Sequence, residues 1–125
     1  MLGKSFDDHR PLFLQIKERI EDQIINEALN AYDQVPSTTQ IVQFYKINHI
    51  TVSKGVNLLV DEGILYKKRG VGIFVSEGAK EMLIEKRKQK FLTDYLRPML
   101  IEAQKLGIGT KALIDMMKQE GDTHE

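Results

Sequence analysis

Two helix-start signals stand eleven residues apart in the middle of this chain, and that spacing constrains the fold more than any other feature. Ser37-Thr38-Thr39-Gln40 has the S-x-x-Q form of a capping box, in which the first and fourth side chains satisfy each other's backbone N–H groups. Asn48 is the second signal, an N-cap whose side chain is expected to accept from the Ile50 or Thr51 amide. Ile41, Val42, Phe44 and Tyr45 lie between them and predict a short helix, apolar enough to be mostly buried. Lys46-Ile47-Asn48 leaves a connection of only about three residues, the spacing of a helix-turn-helix.

The flanking segments extend this unit. Pro11 suits the first turn of a helix, and Phe13, Ile16, Ile20 and Ile24 follow at i, i+3, i+4 spacing, which predicts an amphipathic helix ending near Asn26–Ala28. Gln34-Val35, before Pro36, reads as a short extended piece. A third helix is predicted from about His49 to Glu62, burying Val52, Val56, Leu59 and Val60. Gly55 in its interior is unfavourable by up to ~1 kcal/mol against Ala, which points to a close helix crossing. Gly63 fits the left-handed residue that ends a helix. Ile64–Lys67 and Ile73–Val75 are β-prone runs around Lys68-Arg69-Gly70-Val71-Gly72, a hairpin signal with a basic tip.

From Ala79 to Leu106 there is no glycine and helix formers dominate. Residues 80–90 carry five bases against two acids, and then apolar positions recur in threes and fours through Phe91, Leu92, Tyr95, Leu96, Met99, Leu100, Ala103 and Leu106. That stripe is wider than one isolated helix can cover. Pro98 interrupts it, and a regular helix there would be disfavoured by ~3 kcal/mol, so a kink or a break is expected. Leu106-Gly107-Ile108-Gly109 reads as a stop, with Thr110 as the cap of a last helix that carries Leu113, Ile114 and Met117.

Composition removes several classes. The 125 residues contain no Cys, which excludes a disulfide scaffold, a thiol nucleophile and a Cys-based zinc site. The N-terminus has no apolar h-region and no stretch approaches a membrane span of ~18 apolar residues, so a cytoplasmic protein without a membrane partner is expected. The three His are scattered and mark no metal site, Ser53 and Lys54 are adjacent on a helix and cannot form a dyad, and Arg69–Gly72 lacks the Gly-Lys-Ser/Thr of a phosphate loop. Neither an enzyme nor a cofactor is indicated.

The formal net charge is zero, but its distribution is uneven. Residues 7–33 carry seven acids against three bases, whereas residues 46–76 carry five bases against two acids. The face of the third helix opposite its apolar side presents His49, Ser53, Lys54 and Asn57, short polar or basic groups able to meet base edges and phosphates. A small α+β domain with no nucleic-acid role is the plain alternative, but a merely solvated face more often carries Glu and other long charged side chains.

Residues 11–75 resemble the winged helix-turn-helix domain of the GntR family of bacterial transcription regulators. The resemblance rests on Pro11-Leu12-Phe13…Gln15-Ile16, Asp33-Gln34-Val35-Pro36-Ser37, Ile47 to Lys54, Leu59…Glu62-Gly63-Ile64-Leu65 and Arg69 to Val75. The Pro-Gly common before Asp33 is Ala31-Tyr32 here, and arginines common at the positions of Thr39, His49 and Ser53 are absent. Ile-Asn-x-x-Thr-Val-Ser-Lys and the short C-terminal part look most similar to the YtrA-like branch. The resemblance implies a mainly α, α+β winged-helix fold: a DNA-binding domain over 1–78 and a C-terminal helical dimerisation segment over 79–125.

It further implies a homodimeric repressor on an inverted-repeat operator in double-stranded DNA. Phosphate contacts are expected from Lys54, Lys67 and Lys68, and base readout from His49, Thr51, Ser53 and Arg69. Ser37, Thr39, Asn48, Asn57 and Gly70 complete the expected DNA-binding set. Leu92, Leu96, Met99, Leu100, Leu106 and Leu113 form the expected dimer interface. Control by a small-molecule effector is a further reading, although no residue set names a ligand. A winged-helix protein-interaction module without sequence-specific DNA binding is the rival.

Overall fold

Pro11 N-caps the first helix, α1 (Leu12–Ile25), in the computed structural model, which describes residues 6–124. The chain continues through α2 (Thr38–Tyr45), α3 (His49–Asp61), strands β1 (Leu65–Lys68) and β2 (Gly72–Val75), and helices α4 (Ala79–Phe91), α5 (Arg97–Lys105) and α6 (Thr110–His124). It forms two compact units, divided between Glu85 and Lys86. Ala79 and Leu83, in the first half of α4, are buried in the core of the first unit.

That core joins Ile16, Ile20 and Ile24 of α1 to Ile41 of α2 and to Val52, Val56 and Leu59 of α3. Gly55 sits where α3 crosses α1: a Cβ built there would lie 2.6 Å from the Phe13 carbonyl oxygen. α3 ends as its glycine predicts. Gly63 is left-handed (φ 79°), its N–H donates to the Val60 carbonyl, and the Ile64 N–H donates to the Leu59 carbonyl. Ile64 is thereby buried and starts the hairpin. α2 is less buried than its composition suggests: Ile41 is in the core, Val42 and Tyr45 are half-buried, and Phe44 is exposed, with its ring edge against Tyr45.

β1 and β2 pair antiparallel, with Leu65 opposite Val75 and Lys68 opposite Gly72. The segment before α2 adds a third, short partner. The Val35 N–H donates to the Ile73 carbonyl, the Tyr32 N–H to the Val75 carbonyl and the Val75 N–H to the Asp33 carbonyl. The hairpin is therefore fixed to the helical core along β2, and its tip projects from that support. Tyr32, which stands where the pattern this chain resembles commonly has glycine, adopts the left-handed region that glycine enters freely (φ 71°).

Lys17 ties α1 to the end of α3 through Glu21 and Glu62, each 3.2 Å away. Burial opposes its ammonium form, but the two carboxylates outweigh burial and raise its pKa above the ordinary 10.5. Stability from a raised cation is complete below the unfolded value and is lost as pH rises through the folded one. Chemical unfolding at about pH 9 and about pH 11 is therefore expected to show an alkaline loss in wild type that shrinks in Glu62→Gln.

The second unit answers the question raised by Pro98. Leu92–Leu96 form a π-helical turn, closed by the Arg97 N–H donating to the Leu92 carbonyl, and α5 follows with Pro98 in its first turn. The backbone stays helical through Leu96 and Arg97, so the chain is not broken there. A widened turn gives the pyrrolidine ring room that a regular turn denies it. The Thr93 hydroxyl donates back to the Lys90 carbonyl at 3.1 Å, beside the altered register.

α5 stops at Gly107, left-handed at φ 71°, with the Ile108 N–H donating to the Ala103 carbonyl. Thr110 lies inside α6 rather than capping it: the Leu113 N–H donates to the Gly109 carbonyl, which puts Gly109 at the cap. Among the described residues, no helix is long and apolar enough to cross a membrane and no three metal-ligating side chains cluster.

Candidate nucleic-acid interface

The capping residues set the geometry of α3. Asn48 Oδ1 accepts from the Ile50 N–H at 2.7 Å, which fixes where the helix begins. One helical face then presents His49, Ile50, Ser53 and Asn57. His49 and Asn57 are exposed, and Ser53 is half-buried with its Oγ 3.4 Å from His49 Nδ1. Thr51 is half-buried at the side of this face.

α2 supports α3 through its own cap. Gln40 N–H donates to Ser37 Oγ at 3.1 Å, and Ser37 N–H donates to Gln40 Oε1 at 2.8 Å. Ser37 and Asn48, both expected at the nucleic-acid surface, thus have their side-chain oxygens committed to helix caps. Thr39 is exposed in the first turn of α2.

The hairpin is coupled directly to α3. Lys67 Nζ donates to Asn57 Oδ1 at 2.9 Å, so a strand cation and a helix amide, both expected site residues, form one surface. Lys68 lies with its Nζ 4.9 Å from the Phe74 ring centroid, and Arg69 and Gly70 are exposed at the tip. Gly70 is left-handed at φ 75°. A Cβ at Gly72 would run into the Gln34 amide, which itself donates to the Val71 carbonyl at 3.2 Å. The loop is thus braced from the segment preceding α2.

Lys54 is exposed on α3, as its sequence position predicts. Its ammonium lies 4.0 Å from the centroid of the Phe13 ring on α1, so it is held at the edge of the α3 face by a cation–π contact. Two exposed apolar residues were not expected in the site: Ile50, 75% exposed on α3, and Val71, 61% exposed in the hairpin loop.

A three-helix core whose second and third helices are joined by a tight connection, closed by a basic hairpin that bonds to the third helix, is a winged helix-turn-helix. Comparison with known proteins places the chain within that class. The model of the family described as "Bacterial regulatory proteins, gntR family" matches residues 12–75, and the chain belongs to this family.

Similar proteins include the HTH-type transcriptional repressor YtrA of Bacillus subtilis (strain 168). It is 28% identical over 109 residues, 87% of this chain and 83% of the relative. A GntR-family transcriptional regulator from Bacteroides thetaiotaomicron has 31% identity and a TM-score of 0.75, over 91% of this chain and 99% of that one. AraR(DBD), solved in complex with operator ORR3, has 29% identity and a TM-score of 0.53, over 61% of this chain and 89% of that one. The chain is accordingly a DNA-binding transcription regulator and not an enzyme.

Proposed function

We propose that the protein represses transcription as a homodimer on an inverted-repeat operator, with α3 in the major groove and the hairpin tip along the minor groove. The observation that carries this reading is the Lys67–Asn57 bond, which joins the α3 face to the basic wing. The likeness to AraR(DBD), which was solved with an operator, and to YtrA, a repressor, supports it. The winged unit carries DNA recognition. The C-terminal helices carry pairing, and a twofold pair matches an inverted repeat. The regulator acts in the cytoplasm. An effector, where one operates, acts through the C-terminal helices.

Affinity for random duplex DNA at low salt, falling steeply as salt rises, is the first test. A protein-interaction module predicts no such affinity, and its absence overturns the proposal. The finer test uses three variants on a duplex selected by the wild-type protein. Arginine fits a narrow, electronegative minor groove, so Arg69→Ala is expected to lose about 1–3 kcal/mol of affinity and discrimination at flanking base pairs. His49→Ala is expected to relax preference at a base inside the half-site, because it starts the recognition helix. Lys67→Ala is expected to weaken all duplexes and to flatten the salt dependence by roughly one unit of slope. Equal, sequence-blind losses from all three leave a basic patch without readout.

A further inference from the structure

We propose that Ile50 reads the 5-methyl group of a thymine in each half-site; the inference rests on the DNA-binding reading above. Ile50 is the most exposed large hydrophobic residue among those described, at 75%. Single exposed apolar residues are ordinary on protein surfaces, so exposure alone assigns nothing. Its position does. It lies in the first turn of α3, on the face shared with His49, Ser53 and Asn57, otherwise composed of groups that can hydrogen-bond.

An isoleucine cannot pair with a donor or acceptor on a base edge and would leave such an edge unsatisfied. In the major groove the edge that offers hydrocarbon is that of thymine, through its C5-methyl group. The side chain is also prepared for such a contact. Its backbone N–H is held by Asn48 Oδ1 at 2.7 Å, and a β-branched residue in a helix has essentially one χ1 rotamer, so little freedom is lost on docking. A lone isoleucine among polar groups is too small a patch to seat a protein partner, whereas one methyl group is a matching target.

The test uses the full chain and a half-site enriched by it from a random duplex library. Each thymine is replaced singly by deoxyuridine, which keeps the hydrogen-bonding edge and lacks only the methyl group. At one thymine per half-site the wild type is expected to lose about fourfold in affinity, the value of one methyl group removed from water. Ile50→Ala, a favourable helix substitution at an exposed site, is expected to bind the thymine duplex more weakly and to show no uracil penalty at that position. Wild-type indifference to every uracil, or a full penalty persisting in Ile50→Ala, overturns the assignment while leaving DNA binding intact. Failure of the wild type to enrich any duplex overturns the DNA-binding reading, and the assignment with it.

Discussion

Gly55→Ala is expected to destabilise the winged unit by about 1–3 kcal/mol, even though alanine is the better helix former. The two effects oppose each other. Alanine in a helix interior gains up to about 1 kcal/mol over glycine from backbone entropy. Against that, the new Cβ would sit 2.6 Å from the Phe13 carbonyl oxygen and 3.5 Å from Ile16 Cγ2. The nearest atom is helix backbone, which cannot rotate aside as a side chain can. α1 must retreat as a body, loosening buried Ile16 and the Phe13 ring that holds the Lys54 ammonium. Close-packed interiors have no slack to absorb such a shift. Urea unfolding with an unchanged m-value would report the loss directly. A gain in stability would sink the claim that this crossing is as close as it stands. Because α3 is at once a core helix and the proposed recognition helix, operator affinity should fall together with stability in this variant.

The same glycine shows what was legible in the sequence. A helix former missing at one interior position marked the α1–α3 crossing, and the Ser37, Asn48 and Gly63 signals marked the ends of α2 and α3. These are local effects, written into single side chains, and they carried most of the winged fold. What escaped depends on contacts between distant segments. Nothing in Tyr32 announces a left-handed backbone. The strand-like pairing of residues 32–35 with β2 is set by where the hairpin docks. The capture of Lys54 by Phe13 needs the helix crossing to exist first. Phe44 looked like core because it is apolar, yet α2 is too short to bury more than one side of itself. Pro98 predicted a disturbance, but a proline alone is compatible with either a widened turn or a break, and the chain takes the widened turn. In the candidate interface, polar and basic residues are legible as candidates because their chemistry suits bases and phosphates. Ile50 offers no hydrogen-bonding group, so the sequence carries no such signal there, and only its exposure on α3 sets it apart.

Replacing Leu96 and Leu100 together by Glu is expected to convert a dimer to a monomer. Among the described residues of the unit Lys86–Glu125, helices and a short connection make up the structure and only Ala103 is buried. Leu92, Leu96, Met99 and Leu113 are half-buried, while Leu100 and Leu106 are 48% and 66% exposed. Met99, Ala103, Leu106, Ile108, Leu113 and Met117 line an open, mainly apolar groove between α5 and α6, which Glu102 and Glu120 also border. Helices of this length cannot bury enough apolar surface alone, and in the proposed dimer a second copy of the same stripe would supply what is missing. Burying one leucine contributes ~1.5–3 kcal/mol, and a twofold interface loses each leucine twice. Four buried carboxylates in place of four leucines exceed the ~8–12 kcal/mol that holds a micromolar-to-nanomolar dimer. Sedimentation of the double variant should therefore give a monomer whose winged unit still unfolds cooperatively. Its affinity for a palindrome should drop to that for a single half-site, because only the gain from tethering two half-site contacts is lost. A variant that remains dimeric moves the interface elsewhere, and a wild-type monomer means that the stripe is covered by its own chain.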